Sequence, residues 1–318
     1  MNSQAATAVS AWGGSLAPPR LISHRENAVF DVTLRNGTRA ALRLHRPGYC
    51  SIAEIKSELW WTSALATAGF AVPSPIETQS GELIQHLENG QVATVLSWVN
   101  GQEIGHSGTP LPGSLSAQIA LYKNLGGLLA QLHALSDGLA LPREFTRRSW
   151  DAAGFLGPDP HWGRFWENPA LDPKTQETLL KAREKAHEDL TQYLKEGADF
   201  GLIHADALRE NVFRSGETLT LIDFDDSGFG FRLYDLTTAL SQSLDEPNFE
   251  HLKEAILMGY SQTRPLHKKD TDRFHLFTML RCFASLGWVV PRLEAEDSRI
   301  PIYVHRASQA AIKYLEAG

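Results

Sequence analysis

The sequence predicts an α+β chain of two lobes, a small antiparallel sheet with one helix over residues 20–99 and a larger, mostly helical lobe over residues 100–318. Three observations predict it. Residues 28–45 alternate apolar and polar around Asn36-Gly37, as a hairpin does. A capping-box helix follows at Ser51, and beyond Asn100-Gly101 leucines recur at the spacing of one helix face. A chain of 318 residues is long enough to give both lobes a core.

The elements follow in order. Residues 1–19, rich in Ala, Ser and Gly and without the charged-then-apolar succession of a signal peptide, read as a loose arm. In the hairpin, Phe30, Val32 and Leu34 precede the turn and Leu42 and Leu44 follow it. Alternation places Ala41, Arg43 and His45 on the face opposite those leucines. After Pro47-Gly48, Ser51-x-x-Glu54 opens a helix through Ile55, Leu59 and Leu65 to Gly69, with Glu58 near its middle. A second hairpin joins Glu82–Gln85 to Val92–Leu96, and Asn100-Gly101 marks the lobe boundary. Leu121, Leu125, Leu128, Leu129 and Leu132 then form the buried face of a helix ending near His133. A Pro-, Gly- and Trp-rich insert spans residues 148–171, and helical periodicity resumes after Asp235.

Composition narrows the function. Hydrophobic residues at 42% and charged residues at 21% describe a folded globular chain. The formal charge of −7 offers no bulk attraction for nucleic acid. Cys50 and Cys282 stand far apart with no CxxC, so neither a disulfide framework nor a thiolate metal site is indicated, and a reducing, cytoplasmic setting fits. No apolar run approaches the roughly 20 residues that span a bilayer. Oligomeric state leaves no signal in the sequence. The histidines show no zinc spacing, and Gly105-His106-Ser107-Gly108-Thr109 lacks the final glycine of a hydrolase elbow.

The chemistry is concentrated in Leu202–Phe213 and Leu219–Asp225, where Asp206, Asn211 and Asp223 are set in apolar surroundings at fixed spacing. Phosphoryl transfer calls for such a set: one carboxylate to accept a hydroxyl proton and two oxygen ligands to hold magnesium across the phosphates. The order H-x-D-x-x-x-x-N followed by D-F resembles the kinase catalytic loop and metal-binding Asp, with Ala205 where protein kinases carry Arg.

Residues Ile203 to Leu240 thus resemble the aminoglycoside phosphotransferase and choline kinase superfamily, which includes homoserine and methylthioribose kinases and whose loop usually reads H-G-D. The resemblance implies a protein-kinase-like fold with ATP and Mg2+ as cofactors. By it, Asp206 is the catalytic base, Asn211 and Asp223 ligate the metal, Asp225 assists them, and His204 and Asp235 brace the loop. Ala41-Leu42-Arg43 sits where kinases carry Ala-x-Lys, so Ala41 covers adenine and Arg43 contacts phosphates with Glu58 as its helix partner. Arg in place of Lys keeps the charge and changes the hydrogen-bond geometry. Leu96-Ser97-Trp98-Val99 resembles the family's hinge, which makes Ser97 and Val99 nucleotide contacts, and Leu125–His133 resembles its first large-lobe helix. The loop Ser23–Asn27 lacks glycines, as is common in the small-molecule branch, and the likeness extends from about Glu26 onward.

The implied activity is transfer of a γ-phosphate to a hydroxyl of a small molecule: an amino alcohol, homoserine, choline or an aminoglycoside. Two other readings stand beside it, a bacterial Ser/Thr protein kinase and a nucleotide-binding pseudokinase. The second is motivated by Arg43 and the glycine-poor loop, and opposed by the intact Asp206, Asn211 and Asp223. Plainer roles exist for single residues. Glu58 suits a solvated helix pair, and Asp225 and Asp226 suit turn hydrogen bonds. Trp150, Trp162, Phe165 and Trp166 suit either core packing or an aromatic box for a cation, in an insert placed as a substrate lid.

Overall fold

The computed structural model describes residues 2–24, 27–294 and 297–317. Its strands are β1 (Arg20–His24), β2 (Ala28–Thr33), β3 (Arg39–Leu44), β4 (Gln85–His86), β5 (Val92–Ser97), β6 (Gln102–Glu103), β7 (Ser149–Trp150), β8 (Phe200–Ile203), β9 (Val212–Ser215), β10 (Thr218–Leu221) and β11 (Gly228–Phe231). Its helices are α1 (Asn2–Val9), α2 (Ile52–Thr67), α3 (Leu115–Asp137), α4 (Ala152–Leu156), α5 (Pro173–Lys195), α6 (Arg232–Leu240), α7 (Phe249–Ser261), α8 (Lys268–Thr271), α9 (Phe274–Val289) and α10 (Ile300–Ala317). The chain forms two compact units, one of residues 1–103, 138–147 and 212–225, the other of residues 104–137, 148–211 and 226–318.

The first unit is built on an antiparallel sheet of order β1-β2-β3-β5-β4. Its central hairpin sets Phe30 opposite Leu42 and Val29 opposite Arg43, and Leu34 N–H donates to Thr38 O at 2.8 Å across the Asn36-Gly37 turn. Buried Phe30, Leu42, Leu44 and Val95 form one core with Ala5, Ala8, Val9 and Trp12. The N-terminal stretch is therefore packed rather than loose. Its alanines are strong helix formers, and Ala5, Ala8, Val9 and Trp12 fall at helix-face spacing, so a slender helix lies on the sheet. Trp12 Nε1 fixes it by donating to Ile76 O at 2.7 Å.

Helix α2 opens at the expected capping box: Ser51 Oγ accepts from Glu54 N–H at 3.2 Å, and Glu54 Oε2 accepts from Ser51 N–H at 2.9 Å. It ends two residues before Gly69, which adopts φ 82° while Gly69 N–H and Phe70 N–H donate to Ala66 O and Leu65 O, a Schellman stop. Strand β4 is shorter than the sequence suggests, because Glu82 closes a turn with Thr78. Strand β9 lies between β10 and β6 in a separate small sheet.

The second unit is helical around a three-stranded sheet of order β7-β11-β8. Leu121, Leu125, Leu129 and Leu132 are the buried face of α3, as their spacing predicts, whereas Leu128, expected with them, is half-buried. Helix α3 meets α7 backbone to backbone: a Cβ on Gly126 would lie 2.0 Å from Ile256 O, and one on Gly259 would lie 1.8 Å from Lys123 O. Only glycine permits that approach. The Trp-rich insert is core, since Trp150, Phe155, Trp162 and Phe165 are all buried, which does not suit a swinging lid. Among the described residues, no helix is long and apolar enough to cross a membrane.

Candidate active site

In the sheet-bearing unit the site grows from β3. Arg43 is buried in the strand and extends its fork to two carboxylates, Nη1 to Glu58 Oε1 at 2.8 Å and Nη2 to Asp225 Oδ1. Asn27 Nδ2 donates to the other oxygen of Asp225, and Asn27 Oδ1 accepts from Arg46 N–H at 3.0 Å. Arg147 donates to Glu54 O, Phe224 O and Asp225 O, joining the start of α2 to the segment after β10. Burial opposes charge on Arg43, yet Glu58 and Asp223 outweigh it and raise its pKa. Burial likewise opposes charge on Glu58, and Arg43 and Arg147 hold its carboxyl below the ordinary value. Both groups are ionised. His45, two residues on, is pushed down to about 3 by burial and by the charge of Arg43, so it is neutral, and it bonds Thr94 at 3.0 Å.

Asp225, expected to assist a metal, instead has its two oxygens on Arg43 and Asn27 and is buried. Asp223 is exposed and takes φ 63°, a left-handed conformation that few non-glycine residues adopt. Ala41 is half-buried on β3, beside Leu96. Ser97 is turned inward: its N–H donates to Ser74 O, and its hydroxyl accepts from Ser74 N–H, both at 2.8 Å. Ser97 and Val99 line a shallow depression of about 420 Å³ that also takes in Phe70, Ser74 and Thr220, but not Ala41, Arg43 or Glu58. Within the loop Ser23–Asn27, Arg25 and Glu26 lie outside the described residues.

In the helical unit, the loop after β8 carries His204, Ala205 and Asp206. Asp235, on α6, accepts from His204 N–H at 2.8 Å and Ala205 N–H at 2.7 Å, and meets His133 Nε2 at 3.0 Å. His133 Nδ1 lies 2.8 Å from the Tyr260 hydroxyl. Burial pushes His133 down to about 4, so the neutral ring donates to Asp235 and accepts from Tyr260. Burial alone would raise Asp235, but the hydrogen bond from His133, with that from the His204 backbone, outweighs it and lowers its pKa. The loop is thus pinned to a buried anion. Ala205 takes φ 66°, and His204 Nδ1 accepts from Asp206 N–H at 3.3 Å.

The Asp206 carboxylate accepts a hydrogen bond from Asn211 Nδ2 on Oδ2 and is ion-paired through Oδ1 with Arg281 Nη2, each at 2.9 Å. Asn211 Nδ2 also donates to Asp206 O at 2.9 Å, which leaves its Oδ1 as the atom able to ligate a cation. Sequence reasoning missed Arg281, Asn27, Arg147 and the bracing role of His133. Their one visible signal was polarity inside apolar runs, such as Arg281 between Leu280 and Cys282. Asp226 serves structure, accepting from Trp162 Nε1 at 3.1 Å, Arg148 Nη1 at 3.2 Å and, through its carbonyl, Trp150 Nε1 at 2.8 Å. An aromatic box for a substrate cation is not present in these rings. Trp150 is enclosed by Phe155, His161, Trp162 and Tyr234, while Trp162 already faces the Arg281 guanidinium at 4.7 Å and Trp166 that of Arg183 at 4.0 Å.

A model of the phosphotransferase enzyme family matches residues 19–273. The chain belongs to that family. A homoserine kinase of Methylobacterium nodulans is 28% identical to this phosphotransferase, over 72% of this chain and 65% of that one, so the match spans just under two thirds of the relative's length. An amicoumacin kinase of Bacillus subtilis is 22% identical over 76% and 68%. Among solved structures, a microcompartment-associated aminopropanol kinase superposes with a TM-score of 0.86 at 28% identity, over 99% of this chain and 98% of that one. An amicoumacin kinase in complex with AMP-PNP and Ca2+ gives 0.75 at 18% identity, over 93% and 88%. The phosphotransferase has the kinase-like α+β fold of these neighbours, and it is a kinase-like enzyme of the small-molecule class.

Proposed function

We propose that this phosphotransferase uses magnesium and ATP to phosphorylate the hydroxyl of a small amino alcohol or hydroxy amino acid, with 1-amino-2-propanol and homoserine as the first acceptors to try. The observation that carries the reading is the Asp206 carboxylate, held by one hydrogen bond and one ion pair yet still 18% exposed. It is fixed in direction and open to a substrate. Asp206 orients the acceptor hydroxyl and takes its proton as the oxygen bonds to the γ-phosphorus and the bond to the β-bridging oxygen breaks, releasing ADP. Arg43, locked by Glu58 and Asp225, supplies permanent positive charge for phosphates. Ala41 and the backbone of Val99 receive the base, with Ser97 supporting that segment through Ser74.

The donor set fits a hard cation. Asn211 Oδ1 and the exposed Asp223 carboxylate are oxygen ligands of the kind magnesium takes. Among the described residues no group of three His, Cys, Asp or Glu gathers, so such an ion would complete its shell with phosphate oxygens and water, as magnesium does in phosphoryl-transfer sites. When bound, the ion would neutralise charge on the phosphates. The relatives named homoserine kinase and aminopropanol kinase support the acceptor class. The occupied faces of Trp162 and Trp166 weigh against recognition of choline by those rings.

The test is magnesium-dependent ADP release across homoserine, 1-amino-2-propanol, ethanolamine, choline, an aminoglycoside and a protein acceptor, with Asp206→Asn as control. Stimulation by a small amino alcohol or hydroxy amino acid that disappears in the variant is the expected result. Stimulation only by the protein acceptor, or tight Mg-ATP binding with no turnover, would replace the proposal with a protein kinase or a nucleotide sensor.

A further inference from the structure

We infer that Arg281 is a positioning residue for phosphoryl transfer, holding the Asp206 carboxylate in the orientation that receives the acceptor hydroxyl. The inference rests on the base assignment above. Helix α9 is apolar on nearly every side, with Phe277, Met279, Leu280, Cys282, Phe283 and Leu286 all buried, and it carries an arginine whose side chain is only 5% exposed. A lone buried cation is strongly unfavourable unless its surroundings answer it. Here the answering groups converge on the catalytic loop and its aromatic neighbour: Asp206 Oδ1 at 2.9 Å, Ala205 O at 3.3 Å and the Trp162 ring at 4.7 Å.

The arrangement is poor as a strut. Nε of Arg281 is buried without a hydrogen-bond partner among the described residues, whereas an apolar side chain at this point of α9 would pack with no orphaned donor. What the guanidinium does supply is a fixed positive charge 2.9 Å from the second oxygen of Asp206. With the Asn211 hydrogen bond on Oδ2 and the Arg281 charge against Oδ1, rotation of the carboxylate is opposed from both sides, while Asp235 holds the backbone beneath it. Protein kinases place an Arg immediately before the catalytic Asp. This chain has Ala205 there and brings a guanidinium to the same loop from α9. Arg281 also lies beyond residues 19–273, so the family match does not account for it.

The experiment measures steady-state ADP release by the full chain with Mg-ATP and homoserine or 1-amino-2-propanol, or with water alone as acceptor, for Arg281→Met, Arg281→Lys, Asp206→Asn and the Arg281→Met/Asp206→Asn double variant. Loss of orientation of a reacting group costs up to about 100-fold. Arg281→Met is expected to lower kcat by about that factor with KM for Mg-ATP within about twofold. Arg281→Lys should recover part of the loss. Arg281→Met should add little to Asp206→Asn, because both act through one carboxylate. If Arg281→Met does not fold, Arg281→Lys carries the test through the same split of kcat from KM. The inference is overturned if a folded Arg281→Met or Arg281→Lys enzyme keeps full kcat, or if Arg281→Met costs as much in the Asp206→Asn background as alone. Undiminished turnover in Asp206→Asn would overturn the base assignment itself.

Discussion

Ala205 holds a left-handed backbone, φ 66°, with its methyl group fully buried. The left-handed region costs a residue with a Cβ about 1–2 kcal/mol. Burying that methyl returns about 0.8 kcal/mol, and a glycine would lose more chain entropy on folding. These effects nearly cancel, so Ala205→Gly should shift urea-unfolding stability by less than about 1 kcal/mol. Ala205→Val, β-branched and a true outlier at that φ, should lose at least about 2 kcal/mol. Arg43 invites a second substitution. Its two nitrogens hold two carboxylates at once, which a lysine ammonium cannot reproduce in the same geometry. Arg43→Lys should cost about 1–2 kcal/mol in thermal unfolding and raise KM for Mg-ATP several-fold with a smaller change in kcat. The pairing of Arg43 with Glu58 was legible through the resemblance to kinases, which carry a cation at this point of the strand and a helix partner for it. Asp225 was misread for a physical reason: its partners Asn27 and Arg43 are 198 and 182 residues away in sequence, and no local pattern encodes that meeting.

At the scale of elements, helix phase was readable and helix contact was not. The leucines of α3 announced a buried face, but the reason for Gly126 lies in the backbone of α7. Gly259→Ala forces a methyl group against Lys123 O, and overpacking of this kind should destabilise by about 1–3 kcal/mol or more in denaturant titration. Gly127, beside it, has only Gly259 O at 3.8 Å from an added Cβ, so Gly127→Ala should be tolerated and serves as the control. Helix α1 teaches the converse. Its pattern of Ala5, Ala8, Val9 and Trp12 was present in the sequence, yet small residues carry little hydrophobic weight, and composition outvoted periodicity. Trp12→Ala should cost about 3–5 kcal/mol by emptying the seat between helix and sheet.

For the molecule as a whole, two buried neutral histidines, His45 at about 3 and His133 at about 4, contribute to the response to acid. Both values lie below the ordinary histidine value, so the unfolded chain binds more protons than the folded one once pH falls below about 6.5. The stability they contribute is complete above that pH. It declines on acidification by up to about 1.4 kcal/mol per pH unit for each ring, until the folded values are reached. His133→Gln should therefore reduce the slope of stability against pH between 6.5 and 4, as read from urea midpoints. The division of the chain has one more consequence, in the order of synthesis. The sheet-bearing unit draws on residues 1–103, 138–147 and 212–225, and ribosomes add about 5–20 residues per second. Arg43 thus leaves the ribosome roughly 10–35 seconds before Asp225 does. For that interval the nascent strand has Glu58 as its counter-charge, and the closing of the guanidinium fork is a late event in the birth of the enzyme.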